Sequence, residues 1–293
     1  MAIPESQLDT WANAPSSTLY QNSYNSVRNA ISESQVLKSR GFEVYLQGSY
    51  KNSTNIRGDS DCDIVAQLND VYYYDISGLS SEEQQRFNST LTSPAYTLQE
   101  FKSQVFQALQ AYFGTGSIKL GNKSIKLSGN QNRANADVIV CCQYRHYTKF
   151  GEYSQNYISG IAFFPTGSTI KMVNYPKVHY DNGVTKNQTT NTAYKQFVRI
   201  FKNINSKLSE GGQIKSDLAT SYFIECLIYN VINESFSGDS YQSCMYKILK
   251  HLHETDLNNH QTVSHMHWLC RGNQWNLTDA KGFIDAVISY WNS

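Results

Sequence analysis

The stretch QGSYKNSTNIRGDSDCDIV, residues 47–65, decides the fold and carries the candidate chemistry. The residues before it, FEVYLQ (42–47), are typical of a buried strand, and DCDIVAQL (61–68) predicts a second strand. The polar residues between the two strands are rich in turn formers and predict a loop. Because residues i and i+2 of a strand point to the same face, Asp61 and Asp63 project together, with roughly 6–7 Å between their Cα atoms.

The spacing of these two acids suits a pair of divalent ions. Carboxylates so placed can hold two ions about 3.5–4 Å apart, as in-line phosphoryl transfer requires. Mg²⁺ prefers carboxylate oxygens, and phosphates and water complete its octahedron. Gly48 and Ser49 precede the acids: the glycine lets the backbone approach a phosphate closely, and the serine hydroxyl and main-chain N–H can donate to it. We therefore predict two Mg²⁺ ions here, for which Mn²⁺ can substitute.

Two ions usually need a third carboxylate, and Asp137 is the candidate. It comes directly before the apolar strand residues 138–140. An acid is unusual there unless it lies at the edge of a sheet and has a function. The alternative is that Asp61 and Asp63 are ordinary polar residues at a strand end that faces solvent. The Gly-Ser turn together with the later acid on a strand favours the metal site.

Beyond this segment, the chain divides into a mixed part and a helical part. Residues 5–40 are helix-like with a break at Pro15, and the capping box TLQE (97–100) begins a helix that ends at Gly114. Strand-like runs follow at 117–120, 123–128, 136–144, 160–164 and 168–173. A polar loop is predicted near 180–191, and helical patterns then occupy 192–208, 217–232, 240–254 and 278–291.

The segment 47–65 resembles the active-site signature of the cGAS/DncV-like nucleotidyltransferases (CD-NTases) of bacterial anti-phage defence, which belong to the DNA-polymerase-β-like superfamily. The similarity covers well over half of the chain and continues at ADVIVCCQYR (136–145), NYPKVHYDNGVTKN (174–187), YKQFVRIFKN (194–203) and SYFIECLIYNV (221–231).

This resemblance implies an α+β, bilobal polymerase-β-like fold, with a mixed-sheet core lobe, an all-helical C-terminal lobe and the active site in the cleft. The corresponding domains are an N-terminal helical segment that bridges the lobes (1–40), the nucleotidyltransferase core (41–187) and the helical domain (188–293). It also implies roles for individual residues: metal-binding and catalytic acids at Asp61, Asp63 and Asp137, a phosphate-gripping turn at Gly48 and Ser49, a donor-triphosphate lysine at Lys202, a phosphate-binding serine at Ser221 and a base-stacking tyrosine at Tyr222.

Two of these assignments have plain alternatives in the sequence. Lys195, Arg199 and Lys202 follow each other at i, i+4 and i+7 and so form one basic stripe on a helix face. Such a stripe is also typical of a solvated face. Tyr222 could equally be a core aromatic residue, and its place beside Ser221 at a helix start favours stacking only modestly.

Composition limits the partners. The 293 residues are 40% hydrophobic and include 21 Tyr, so the chain is globular and not disordered. The 25 Lys+Arg against 24 Asp+Glu give a formal charge of +1, whereas proteins that wrap duplex nucleic acid usually carry a strong basic excess. The start of the chain has no secretory pattern, and its most apolar stretch (223–232) is too short to span a bilayer. We expect a cytoplasmic protein with reduced core cysteines and no membrane partner.

A group of histidines could suggest zinc. Six potential ligands crowd into twenty residues: His251, His253, His260, His265, His267 and Cys270. No Cys-x-x-Cys pair is present, and an H-x-H pair on a helix splays its rings apart, so ordinary helix-end and surface histidines are the preferred interpretation.

The expected activity is a metal-dependent nucleotidyl transfer that links NTPs into a small signalling oligonucleotide with release of pyrophosphate. By the resemblance, the product is a cyclic di- or trinucleotide that activates a separate effector protein in anti-phage defence. A transferase that makes a linear oligonucleotide, or that modifies an RNA or protein end, is the rival within the enzymes. A nucleotide- or RNA-binding pseudoenzyme is the rival outside them, and the three acids speak against it.

Overall fold

The structure, a computed structural model, describes residues 3–58, 61–272 and 275–293. The chain forms two compact units, one built on a β-sheet and one built on helices. The sheet unit lies within Ser17–Tyr50 and Ser60–Lys177, and the helical unit lies within Met1–Ser16, Lys51–Asp59 and Val178–Ser293. The domain bounds 1–40, 41–187 and 188–293 stay predictions.

In the described part of the sheet unit, seven strands form one mixed sheet. They are β1 (Phe42–Leu46), β2 (Asp61–Asp75), β3 (Ile118–Leu120), β4 (Ile125–Leu127), β5 (Asn135–Phe150), β6 (Gln155–Phe163) and β7 (Met172–Asn174). The hydrogen-bonded order is β1-β2-β5-β4-β3, and β6 pairs with β5 and with β7. Only the central β2–β5 pair is parallel in this sheet, and the other described pairs are antiparallel.

Three helices belong to the sheet unit: α2 (Thr18–Ser32), α4 (Ser81–Ser89) and α5 (Leu98–Phe113). Helix α5 begins with the predicted capping box, in which the Thr97 side chain accepts from the Glu100 N–H, and it ends at Gly114. Phe101, Val105 and Leu109 are fully buried at helical spacing, so one apolar face of α5 belongs to the core. Helix α4, which was not predicted from the sequence, has its own capping box between Ser80 and Glu83.

Strands β2 and β5 are longer than predicted. Both continue beyond a register shift after Leu68, so that a second, aromatic cluster forms beside the distal part of the sheet. In this cluster the Phe87 ring meets Tyr74 and Tyr147 at centroid distances of 4.6 and 5.1 Å, both edge-on. Edge-on aromatic packing offsets the weak strand propensity of the polar residues at 69–70. Strand β7, in contrast, covers only the end of the predicted run 168–173.

The helical unit contains α1 (Glu5–Ala12), α6 (Pro176–Thr189), α7 (Ala193–Glu210), α8 (Ser221–Tyr229), α9 (Tyr241–Glu254) and α10 (Leu277–Asn292). Its core joins α1 to α7–α10, and Phe197, Phe201, Phe223 and Phe283 are among its fully buried side chains. The four helical patterns of the C-terminal half are therefore confirmed to within a few residues. The described sheet and helices together confirm the predicted α+β class.

Helix α6 lies where a polar loop was predicted, so that prediction is wrong. Its sequence contains Gly183 and several Asn and Thr residues, which favour other conformations in isolation. Tertiary contacts decide the outcome: His179 is buried, and the Asn182 amide donates to the Val263 carbonyl oxygen at 2.8 Å. Helical stability in proteins comes mostly from such packing, which the local pattern does not reveal.

Two further local predictions need correction. The predicted loop after β1 begins with a short helix, α3 (Gly48–Asn52), whose last residue is tied into the helical unit by a hydrogen bond to Glu225. The N-terminal helical pattern breaks between α1 and α2 as expected, but it ends at Ser32 and gives way to turns before Gly41.

The six cysteines are all buried, and none is in a disulfide, as predicted for core thiols. No helix among the described residues has the length and apolar character needed to cross a bilayer.

Candidate active site

The three predicted metal acids meet on one face of the sheet. Strands β2 and β5 run parallel, and their ladder pairs Asp63 with Asp137, while Asp61 pairs with Asn135. Paired residues of neighbouring strands point to the same face, with about 4.8 Å between their Cα atoms. The intervening Cys62 points the other way, because its thiol lies 3.7 Å from the Tyr20 carbonyl oxygen of α2. The acids thus occupy the face opposite α2, and all three are half-buried.

Gly48 lies directly against this acid group. Its φ is +67°, and a Cβ at this position would overlap the Asp63 carboxylate. The Gln47 N–H donates to the Asp63 carbonyl oxygen at 3.0 Å, so the end of β1 fixes the approach. Only glycine can adopt this positive φ and also leave space for the Asp63 carboxylate without strain. Ser49 follows as the second residue of α3, so the predicted Gly-Ser turn adjoins the acids within the sheet unit.

Lys126 of β4 was not identified from the sequence. It is the ladder partner of Asp137, and its Nζ lies 3.5 Å from the Asp137 Oδ1. The ammonium group is largely exposed, so this ion pair adds little to stability, but it places a positive charge beside a candidate metal ligand. The alternation in KSIKLS indicates a strand, but its partner depends on long-range pairing that the sequence pattern does not contain.

The donor set of the three acids fits Mg²⁺ in kind. Their carboxylate oxygens are the hard ligands that Mg²⁺ prefers, and the ion is usually bound by one or two carboxylates while phosphates and water complete its shell. Within the described residues, no group of three or more His, Cys, Asp or Glu side chains already surrounds a common metal position. The same finding covers the histidine group near the C-terminus, where the described residues form no zinc site.

In the helical unit, the basic stripe of α7 is not a solvated face. Arg199 and Lys202 are buried, and both donate to backbone carbonyl oxygens. The Lys202 Nζ lies 2.9 Å from the Thr54 oxygen, and the Arg199 Nε lies 2.6 Å from the Ala12 oxygen. The alternative of a solvated stripe is therefore wrong for these two residues. Lys202 anchors the segment that follows α3, whatever else it binds.

A buried carboxylate organises the same region. Glu225 of α8 accepts hydrogen bonds from the Asn52 amide at 3.0 Å, the Thr54 hydroxyl at 3.2 Å and the His179 Nε2 at 3.0 Å. Burial alone would raise the pKa of Glu225, but the charges and hydrogen bonds of His179, Lys202 and Thr54 lower it below its usual range. Glu225 thus stays ionised and fixes the chain at 52–54. Its position in an apolar helical run indicated a buried charge, but the sequence did not identify the partners of that charge.

Tyr222 lies at the surface, in the first turn of α8 directly after Ser221, and the helix is capped by the Thr220 side chain. It is 41% exposed, so the alternative of a core aromatic residue is wrong. The Trp275 ring stacks on it at 5.7 Å with an interplanar angle of 22°, and the His179 ring lies 5.4 Å away. Burial of its hydroxyl near Cys226 raises the pKa of Tyr222 well above its ordinary value.

Comparisons with known proteins identify the family of this chain. Residues 181–292 match the cGAS/DncV-like nucleotidyltransferase C-terminal helical domain. The chain is 38% identical to the cyclic UMP-AMP synthase of Rhodothermus marinus over 99% of this chain and 98% of that protein. It is 37% identical to the cyclic nucleotide synthase CdnE01 of Staphylococcus haemolyticus over 100% and 99% of the two chains.

Solved structures give the same result. The R. marinus CdnE c-UMP-AMP synthase, solved with Apcpp and Upnpp, superposes with a TM-score of 0.89 at 38% identity, over 99% of this chain and 97% of that chain. The Elizabethkingia meningoseptica CdnE cyclic dinucleotide synthase, solved with GTP and Apcpp, has a TM-score of 0.77 at 30% identity, over 99% of this chain and 100% of that chain.

A mixed sheet that carries three acids beside a Gly-Ser turn, with relatives that are cyclic nucleotide synthases, defines a nucleotidyltransferase. The chain belongs to the cGAS/DncV-like nucleotidyltransferase family.

Proposed function

We propose that this enzyme joins two or three nucleoside triphosphates into a small cyclic oligonucleotide and releases pyrophosphate at each step. The observation that carries the proposal is the parallel pairing of Asp63 with Asp137, with Asp61 two residues earlier on the same face. Two bound Mg²⁺ ions would lower the pKa of the attacking ribose hydroxyl and offset the negative charge of the transition state.

Residues of the chain would bind the metal ions, the phosphates and the base. Asp61, Asp63 and Asp137 would hold the ions, and their place on the sheet would keep the metal positions fixed during the reaction. Gly48 leaves room for the Asp63 carboxylate beside it, and Ser49 would offer a hydroxyl and a main-chain N–H to a phosphate. Lys202 and Ser221 are proposed phosphate contacts, and Tyr222 is proposed to stack on the donor base.

UTP and ATP are the first substrates to test. The relative that is 38% identical is named a cyclic UMP-AMP synthase, and others are named cyclic dipurine and cyclic dipyrimidine synthases, so base choice differs within the family. We further propose that the product acts on a separate effector protein in anti-phage defence, and that the enzyme works in the cytoplasm, where its thiols stay reduced.

The deciding experiment incubates purified protein with each α-³²P-labelled NTP or dNTP, alone and in pairs, with Mg²⁺ or Mn²⁺. A labelled product that resists phosphatase and is opened by a nuclease is cyclic, and we expect it only with added metal. A phosphatase-sensitive ladder would instead identify a linear polymerase. Label transferred to added RNA or to the protein itself would identify an end-modifying enzyme, and either result would overturn the proposal.

A further inference from the structure

Two lysines of the helical unit share one aromatic ring. Lys51 lies near the end of α3, Lys195 lies in the first turn of α7, and Tyr180 lies in α6. The Lys51 Nζ is 4.3 Å from the centroid of the Tyr180 ring, and the Lys195 Nζ is 5.8 Å from the same centroid. Two positive charges are therefore gathered at one tyrosine by three different helices.

Among the described residues, neither ammonium group has a direct ion-pair partner. No carboxylate there lies within ion-pair distance of either ammonium group. Burial lowers the pKa of Lys195, the charges of Arg199 and Lys51 lower it further, and the charge of Glu225 acts in the opposite direction. Glu225 is itself fully engaged, because it accepts from Asn52, Thr54 and His179.

The ring cannot replace an anion. A cation held over an aromatic face gains about 0.5–1 kcal/mol at an exposed site, and sharing one ring between two cations adds their mutual repulsion. A half-buried lysine without a counter-ion is an arrangement that an anion from solution would stabilise. Lysine is a common phosphate ligand that acts as a point charge, so two ammonium groups held at one ring suit a polyphosphate.

We propose that Lys51 and Lys195 bind the triphosphate of a nucleotide substrate, with Tyr180 as the positioning residue that holds both ammonium groups. The inference rests on the proposed function for the identity of the ligand. Lys51 stands two residues after Ser49 in the same short helix. It also differs from Lys202, whose ammonium donates to the backbone of Thr54.

The test measures binding of inorganic tripolyphosphate by calorimetry, without metal and without any nucleoside. Lys51→Gln and Lys195→Gln should each weaken binding by about tenfold, and the double variant should weaken it more, because each loses a charge-assisted contact. Lys51→Arg and Lys195→Arg should retain most of the affinity. Lys207→Gln is the matched control: it lies on the same helix α7, is exposed, and pairs with Glu210 at 2.8 Å, so it should bind as wild type does.

Tyr180→Leu tests the positioning role, since it keeps both charges and removes the shared ring. It should weaken tripolyphosphate binding less than the double lysine variant does. Thermal melting of every variant shows whether it is folded, and Lys51→Gln, which changes an exposed side chain, keeps the test valid if Lys195→Gln unfolds.

A double lysine variant that binds tripolyphosphate like wild type would overturn the proposal. So would a dependence on these lysines seen only for a short RNA that lacks a triphosphate. The proposed reaction can be tested independently of the phosphate site. An Asp61→Asn/Asp63→Asn variant should still bind tripolyphosphate through the lysines. If wild type makes no oligonucleotide but the lysine dependence holds, the phosphate site stands and only the proposed reaction falls.

Discussion

Asp63 of β2 and Asp137 of β5 are direct partners in a parallel ladder, although 73 residues separate them in the sequence (positions 64–136). Parallel partners lie closer than residues two apart on one strand, so the closest acids in the site come from different strands. Like charges at this distance repel, and a divalent ion relieves the repulsion. The proposed metal ions would offset this repulsion between the carboxylates.

Replacing the acids of β2 by their amides should abolish product without unfolding the protein. Asn has nearly the shape of Asp, so Asp61→Asn/Asp63→Asn fits against Gly48 while it removes two negative charges. We expect pyrophosphate release to fall to background and the Tm of the metal-free protein to stay equal or rise, because like-charge repulsion is removed. Asp70→Asn, farther along β2, should keep its activity. Near-normal pyrophosphate release by the double variant would refute the assignment.

Removing the charge of Lys126 should strengthen metal binding. Its ammonium lies 3.5 Å from the Asp137 carboxylate, so a dication at Asp137 is repelled by it. In a largely exposed setting this repulsion is about 1 kcal/mol, which corresponds to roughly fivefold in affinity. Titration of Lys126→Ala with Mn²⁺, followed by electron paramagnetic resonance, should therefore give a lower Kd than wild type. The exposed Lys123→Ala is the control, and equal Kd values for all three proteins would contradict this view of the site.

Gly48→Ala should damage both the fold and the site. Alanine would have to adopt the left-handed backbone of Gly48, and its Cβ would overlap the Asp63 carboxylate. The combined cost is about 1–3 kcal/mol. We expect a lower urea midpoint and a loss of activity beyond what unfolding explains. Gly282→Ala in α10 is the opposite case, because a Cβ there meets nothing within 4 Å and alanine favours a helix. That variant should be stabilised by about 0.5–1 kcal/mol with normal activity.

The acid group could be predicted from the sequence because its cause is local. The i, i+2 spacing of Asp61 and Asp63 puts both side chains on one face in any strand. The turn contains a glycine because its backbone comes close to these acids. Asp137 needed the parallel pairing of β2 with β5, which an acid at the start of an apolar strand indicates only indirectly. The order of the sheet shows that β2 and β5 are neighbours.

Features that depend on distant partners could not be predicted. Helix α6 has weak intrinsic propensity and forms because His179 and Asn182 are held by residues that lie more than 40 positions away. The same applies to Glu225, whose role depends on Asn52 and Thr54. A charged residue within an apolar helical run indicates a buried network, but not the identity of its partners.

Acid should destabilise the helical unit through His260. This side chain is buried, and neither ring nitrogen has a hydrogen-bond partner among the described residues. Burial, with a smaller effect from the His251 charge, lowers the pKa of His260 to about 4 from 6.5. Between these values the unfolded chain binds a proton that the folded chain does not, so stability falls as the pH falls from 6.5 towards 4, by up to about 3 kcal/mol.

Urea unfolding at several pH values checks this prediction. His260→Leu should flatten the dependence between pH 6.5 and 4, whereas the exposed His253→Gln should keep the wild-type slope. A variant at His260 that retains the full slope would show that other groups carry the acid sensitivity.

Tyr222 should contribute to nucleotide binding through its ring alone. Tyr222→Ala should weaken the binding of ATP, GTP, CTP and UTP alike by about 1–3 kcal/mol, since every base has a π-face to stack on. Tyr222→Phe should keep that affinity and lose up to about 1 kcal/mol of stability, because only the contacts of the hydroxyl with Thr262 and Cys226 disappear.

Tyr246 of α9 provides the matched control, because it is a tyrosine that is 63% exposed in the same unit. Tyr246→Ala should bind each nucleotide as wild type does. Titrations with Apcpp, a nucleotide analogue present in the solved structure of the R. marinus relative, separate binding from turnover. If Tyr222→Ala binds Apcpp and all four NTPs normally while it remains folded, the stack of Tyr222 with Trp275 is structural. The base would then be held by another surface of the protein.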